Sequence, residues 1–175
     1  MLLYILIGLA VLIAIILIAA STKPNTVRYE RSIVINASPD RILPHITDFH
    51  KWNGWSPWDK KDPNMQREYT GAASGKGAKY AWNGNGKVGE GSMEVVEVSA
   101  SAVRIDMHFI KPFKTDCDVW FRCVPEGTGT KVNWSMDSPD LFMGKVMGLF
   151  INMDKMIGKD FESGLIELKK QAEKN

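Results

Sequence analysis

The sequence predicts an α+β domain carried behind one apolar helix, and three observations point there. Leu2 to Ala20 holds no charged residue and is nearly all Leu, Ile, Val and Ala. From Val27 to Met136, apart from one helical stretch, apolar residues recur at every second position in short segments separated by Gly, Pro and Asn. That is the period of half-buried strands. From Ser138 the period lengthens to steps of three and four, through Met143, Val146, Met147, Phe150, Met153, Ile157, Phe161, Leu165 and Leu168. That stripe belongs to a long amphipathic helix.

The apolar run comes first. At about 1.5 Å per residue its helix is roughly 28 Å long, which matches the ~30 Å hydrocarbon core of a bilayer. In lipid every backbone polar group must be satisfied within the segment, so such a run has to be a helix. A cleaved signal peptide would need a basic start, a shorter apolar stretch of about 7–15 residues and a small-x-small cleavage site. No Lys or Arg precedes Lys23, and cleavage after Ala20 would set bulky Ile18 where a small residue belongs. The expected organisation is therefore a transmembrane anchor over 1–20, a linker over 21–26 (STKPNT) and one domain over 27–175. Lys23, Arg28 and Arg31 follow the run closely, so the positive-inside rule places the domain on the cytoplasmic side of the membrane.

Within the domain, Val27–Ala37 alternates and is rich in β-branched residues, a first strand. Ser38-Pro39-Asp40 is a helix start, with Ser at the N-cap, Pro in the first turn and an acid beside it. The helix is expected to reach about His50, with Ile42, Leu43, Ile46 and Phe49 on one face; Pro44 should kink it or delay its start. A turn bearing Trp52, Trp55 and Trp58 follows. Six strands are then expected: Met65–Gly71, Ala78–Asn83, Lys87–Val98, Ala102–Ile110, Asp116–Val124 and Thr128–Met136. Asn83-Gly84-Asn85-Gly86 reads as a tight hairpin with a primed turn, and Pro125–Gly129 as a second hairpin. Hairpin connections make the strands antiparallel, with one face to cover. A helix from Ser138-Pro139-Asp140 to about Ala172 has the length and stripe to cover it.

Charge narrows the function classes. The chain has 22 Lys and Arg against 20 Asp and Glu, a net +2, too little for an electrostatic nucleic-acid binder. Cys117 and Cys123 stand six residues apart in one strand, about 20 Å, well beyond the ~7 Å that a disulfide spans between Cα atoms; two buried thiols are expected, which fits a reducing compartment. Gly71–Gly77 resembles a phosphate loop but lacks one spacer residue and the Ser or Thr after its Lys; it reads as a flexible hairpin loop, with a gate over a cavity mouth as the functional alternative. The three histidines have no metal-ligand spacing, and no cofactor is expected. Arg104, Asp106 and His108 fall on the face opposite the apolar one, where charge pairing across strands explains them. The three tryptophans read first as a packed lid, then as a ligand-stacking wall, then as a bilayer-interface anchor.

This element order resembles the START-like helix-grip superfamily, and more closely its bacterial polyketide cyclase/dehydrase (SRPBCC) members. The residues that carry the resemblance are Ile35-Asn-Ala-Ser-Pro39 opening a helix, Phe109-Ile-Lys-Pro-Phe113, Thr130-Lys-Val-Asn-Trp134 and Gly158-Lys-Asp-Phe-Glu-Ser-Gly-Leu165. It extends over Val27 to Glu173. It implies a helix-grip fold, a curved antiparallel sheet of about seven strands wrapped around a long C-terminal helix with a cavity between them. The superfamily spans lipid carriers, hormone receptors, cyclases and co-chaperone-like domains, so the fold leaves the activity open.

Strand phase gives the cavity its expected walls. Trp82, Met93, Met107, Phe109, Phe121 and Trp134 face inward, with Tyr80 and Ile105 on the same faces, Met147 and Phe150 on the helix, and Trp55 near the mouth. Unbranched methionines and flat aromatics suit an adaptable apolar pocket. The leading reading is a membrane-tethered binder or carrier of a hydrophobic small molecule or lipid, with residues 2–20 in the membrane, no assigned catalytic or metal-binding residue and no nucleic-acid partner. A cyclase or hydratase working in the same cavity is the second reading, with Tyr80, His45 and Glu97 as its acid–base candidates. An interaction module with a packed core is the third.

Overall fold

The structure, a computed structural model, describes residues 1–174. Its first element, α1 (Leu2–Ser21), is exposed on all sides until Ala20, which is fully covered. By length and composition α1 is able to cross a membrane, a test that a signal sequence near an N-terminus also passes.

Seven strands form one antiparallel sheet. They are β1 (Thr26–Ile35), β2 (Gln66–Gly71), β3 (Ala78–Asn83), β4 (Glu90–Val98), β5 (Ala102–Lys111), β6 (Thr115–Glu126) and β7 (Gly129–Pro139). Their spatial order is β1-β7-β6-β5-β4-β3-β2. β1 pairs β7 from Thr26 opposite Pro139 to Ile35 opposite Thr130. The β4–β5 ladder shifts register twice, between Glu90 and Gly91 and between Val95 and Glu97; bulges of this kind bend a sheet and increase its twist. The register defines two ends. Thr26 of β1 shares one end with Pro139 of β7, Thr115 of β6, Phe109 of β5, Glu90 of β4, Asn83 of β3 and Gln66 of β2. α1 enters the domain at this near end.

After β1, α2 (Pro39–Thr47) begins at the Ser38 cap. It runs through Pro44, which neither delays its start nor divides it; Pro44 and Asp40 are exposed, so the carbonyl left without a helical partner meets water. α2 ends at Thr47, short of His50. A 3-10 turn over Phe49–Gly54 and the short α3 (Pro57–Lys61) follow. Two indoles fasten this turn. Trp52 Nε1 donates to the Ile46 carbonyl and Trp55 Nε1 to the His45 carbonyl, each at 2.9 Å. Both acceptors lie in the last turn of α2, where a helix leaves carbonyls unpaired.

The Asn83–Gly86 segment is not a primed two-residue turn. β4 starts at Glu90, and the positive φ (75°) sits at Gly89, where a Cβ would run into the Lys111 carbonyl. The loop is held instead by Asp62, whose Oδ2 accepts from Asn85 N at 2.7 Å.

The C-terminal region also departs from its sequence pattern. Ser138 and Pro139 finish β7 rather than start a helix. The apolar stripe is shared by a short α4 (Phe142–Met147) and a long α5 (Met153–Ala172), with a break at Gly148–Asn152. The break has a local cause. Asn152 Oδ1 accepts from Lys155 N at 2.9 Å and so caps a new helix. α5 then lies along β1. Arg31 reaches it with bonds to Asp154 at 3.0 Å and Glu162 at 2.8 Å, and Lys169 Nζ donates to the Val34 carbonyl at 2.6 Å. The solid core occupies the far half, where Ile35, Ile42, Ile46, Leu165 and Leu168 are all within 1% of full burial.

Candidate functional site

The near half of the sheet is not filled. A cavity of about 150 Å³ lies between it, α3 and the first turns of α5. Strand alternation explains the wall. Tyr80 and Trp82 on β3, Met107 and Phe109 on β5, and Trp134 and Met136 on β7 are inward pairs two residues apart. Met93 on β4 and Val119 on β6 complete the sheet side, and Ile157, Asp160 and Phe161 face them from α5. Trp52, Ser56, Trp58, Asp59, Met65 and Val88 close the remaining side.

Two aromatic groups give the cavity its shape. Trp134 stacks on Phe161 with centroids 4.1 Å apart and planes 5° apart, and Trp58 stands edge-on to both at 5.8 and 6.3 Å. Across the space, Tyr80 and Trp82 stack at 5.8 Å and Phe109 meets Trp82 edge-on at 5.8 Å. Offset stacks and edge contacts are the favoured geometries for rings with a negative face and positive rim. Both groups depend on a glycine. A Cβ at Gly164 would lie 2.9 Å from the Trp134 ring, and one at Gly91 would lie 2.6 Å from the Trp82 ring.

The polar groups are few. Asp59 accepts from Arg67 at 2.6 and 3.0 Å, and Asp160 pairs with Lys61 at 2.5 Å, so both carboxylates are turned to cations. Burial pushes the Tyr80 phenol well above its ordinary pKa, with Asp59 adding to the effect; the hydroxyl stays protonated. Trp134 Nε1 is buried without a hydrogen-bond partner. An unpaired buried N–H costs free energy.

Of the residues expected from strand phase, Tyr80, Trp82, Met93, Met107, Phe109 and Trp134 lie together in this wall. Ile105 and Phe121 are fully buried in the solid core beyond it. Trp55 is interior rather than at a mouth: it is fully buried against Trp52, Phe121 and Trp134. Met147 is on α4 and Phe150 in the break after it, 70% exposed, so neither joins the lining. Trp52 and Trp58 both line the cavity. Asp59 and Asp160 carry no periodic signal, and only the meeting of α3 with α5 brings them to the cavity. Met136, Val119 and Phe161 also line it, the first two by strand phase and the third from the helical stripe.

The other candidates fall elsewhere. His45 is outside the lining, its pKa lowered by burial and then by Lys51 and Lys174, and Glu97 is exposed. The Gly71–Gly77 loop is no gate. Gly75 N and Gly77 N donate to the carbonyls of Thr47 and Val95 at 3.0 and 2.8 Å, seating it against the end of α2, away from the cavity lining. Arg104 pairs with Asp118 at 2.6 Å and His108 with Asp116 at 2.7 Å on the outer face. Cys117 and Cys123 are free and buried, and burial pushes the Cys123 thiol up to about 11. Among the described residues no group of His, Cys, Asp and Glu is arranged to hold a metal ion.

Comparison with known proteins follows this geometry. A family model described as polyketide cyclase / dehydrase and lipid transport matches residues 26–173. A search of curated proteins gave no match. Solved structures match over most of the chain. Protein CV1439 from Chromobacterium violaceum shares 16% identity at a TM-score of 0.59, over 87% of this chain and 100% of its own. KanY protein shares 18% identity at 0.61, over 86% and 100%. The di-domain ARO/CYC StfQ from the steffimycin biosynthetic pathway shares 9% at 0.61, over 85% of this chain and 51% of its own. At these identities the likeness is one of fold, with a seven-stranded antiparallel sheet and a long C-terminal helix in common.

Proposed function

The chain belongs to the polyketide cyclase/dehydrase and lipid transport family, and from that premise we propose that it is a membrane-tethered module that holds a hydrophobic small molecule, or part of a lipid, in the near-half cavity. The observation that carries this reading is a space of about 150 Å³ walled by aromatics and methionines. A module acting only through its surface would gain stability by filling that space. Volume also limits the guest. An engineered apolar cavity of ~150 Å³ takes up benzene, so this one accepts a small ring system or a short acyl segment, with flexible methionines able to yield around it. The tether is α1, with the domain on the cytoplasmic side.

The cyclase or hydratase reading retains one acid–base candidate in the cavity, Tyr80. Its raised pKa makes it a donor that orients a carbonyl rather than a base. Native mass spectrometry of the detergent-purified full-length protein tests the binding proposal. A co-purifying apolar molecule, lost from a Met107→Trp variant that fills the cavity, is the expected result. An empty protein that also takes up no apolar fluorescent probe would overturn it.

A further inference from the structure

The near end of the domain carries the cavity, the entry of α1, and also the greatest concentration of exposed apolar side chains outside α1. Leu141, Phe142, Met143, Leu149, Phe150 and Ile151 are between 38% and 70% exposed. They sit at the cap and first turn of α4 and on the break that divides it from α5. A contiguous exposed apolar segment in a folded domain marks a surface with an occupant.

This segment is not free to face any direction, because polar bonds lock it to the residues just after α1. Lys23 Nζ donates to the Gly148 carbonyl at 2.6 Å. Lys145, itself buried, donates to the Lys23 carbonyl at 3.1 Å and to Asn25 Oδ1 at 2.6 Å. Asp140 N donates to the Asn25 carbonyl at 2.8 Å. Ala20, in the last turn of α1, is fully covered. Lys23 stands two residues past the end of α1. If α1 spans a bilayer, Lys23 is at the membrane surface, and everything clamped to it within one turn is there too.

We infer that the Leu141–Ile151 segment is an interfacial docking surface whose occupant is the lipid bilayer. Its aromatic and aliphatic side chains enter the headgroup–acyl boundary beside the exit of α1, to the ~5–10 Å depth typical of such segments. The break between α4 and α5 belongs to this role: it turns Leu149, Phe150 and Ile151 outward, where a continuous helix would have carried the stripe onto the sheet. The same end bears a second exposed apolar tip, Ile110 and Phe113, directly beyond Phe109 of the cavity wall. Ile157, which lines the cavity, is one turn along α5 from Met153, which borders the Leu141–Ile151 segment. The cavity therefore lies at the lipid-facing end of the domain, and an apolar guest passes between bilayer and cavity without crossing the far, water-facing half. The inference rests on α1 spanning the membrane.

The test uses the full-length protein in phosphatidylcholine vesicles, with an environment-sensitive fluorophore on single introduced cysteines. Phe142→Cys and Phe150→Cys report on the segment, Ile13→Cys on α1 and Ser101→Cys on the exposed far end. The native Cys117 and Cys123 are buried with raised thiol pKa values, so unmodified protein sets the labelling background. Doxyl-labelled lipids quench fluorophores that lie in the membrane. Blue-shifted, quenched emission at 13, 142 and 150, with water-like unquenched emission at 101, is the expected result. Quenching at 13 with water-like emission at 142 and 150 overturns the docking surface and leaves the anchor standing. Water-like emission at 13 removes the anchor and the docking surface with it. A blue shift at 142 and 150 that grows with protein-to-lipid ratio and resists quenching assigns the segment to a second copy of the chain and overturns the proposal.

Discussion

Replacing Phe161 by alanine removes the side chain that joins α5 to the sheet at the boundary between solid core and cavity. Phe161 is 1% exposed, stacked face-to-face on Trp134 and edge-on to Trp58. Burying a Phe side chain contributes about 1.5–3 kcal/mol, and an aromatic pair of this geometry about 0.5–1.5 kcal/mol more. The gap left by the alanine opens onto an existing cavity of about 150 Å³, so neighbouring atoms have little to collapse against and the cavity cost is near its maximum. The expected loss is about 4–5 kcal/mol, the upper part of the range for Phe→Ala in a core. For a domain of this size that lowers the melting temperature by roughly 10–15 °C. Thermal unfolding of the full-length protein in detergent, followed by near-ultraviolet circular dichroism, measures it. A shift of only a degree or two would refute the placement of Phe161 against Trp134, and with it the boundary of the cavity.

Phe150→Ala is the same chemical change at a 70% exposed position, and the same melting experiment should move by no more than about 0.5 kcal/mol. Met107→Trp adds bulk where there is space, so it should abolish uptake of an apolar fluorescent probe while costing less than the ~1–3 kcal/mol typical of overpacking a full core; a cost in that range, with no uptake by the unmodified protein, would mean that the space is not there. Acid should loosen the grip of α5 on β1. The hydrogen bond from Arg31 holds the Asp154 carboxyl below its ordinary pKa of 3.8, so the folded protein carries fewer protons there than the unfolded chain. The stabilisation is complete above that value and is lost as the pH falls through the lowered one. Because the Asp154 side chain is 58% exposed the loss is small; Asp154→Asn should make the fall in melting temperature below about pH 4 slightly shallower, and an unchanged acid limb would discount the pair.

The sheet was legible because strands write their burial into alternate positions. Met107 and Phe109, or Trp134 and Met136, need only strand phase to be placed on one side. The C-terminal region was less so, since a stripe with steps of three and four looks the same whether one helix carries it or two. What divides it is Asn152 capping a second helix, a local hydrogen bond with no periodic trace. Trp55 and Trp58 show the same limit. They stand three apart in a non-repeating turn, and only the docking of that turn on the α2 carbonyls sends one into the core and the other to the cavity. Asp59 and Asp160 lie 101 positions apart in the chain and meet only through the packing of α3 on α5.

The division between a solid far half and an open near half bears on how such a domain changes over time. Ile35, Ile42, Ile46, Leu165 and Leu168 are fully buried and none of them lines the cavity. A mutation at Met93, Met107 or Met136 alters the shape of the space while leaving that far core intact. If the cavity holds a guest as proposed, these methionines are open to selection for its choice apart from the far-core residues selected for remaining folded.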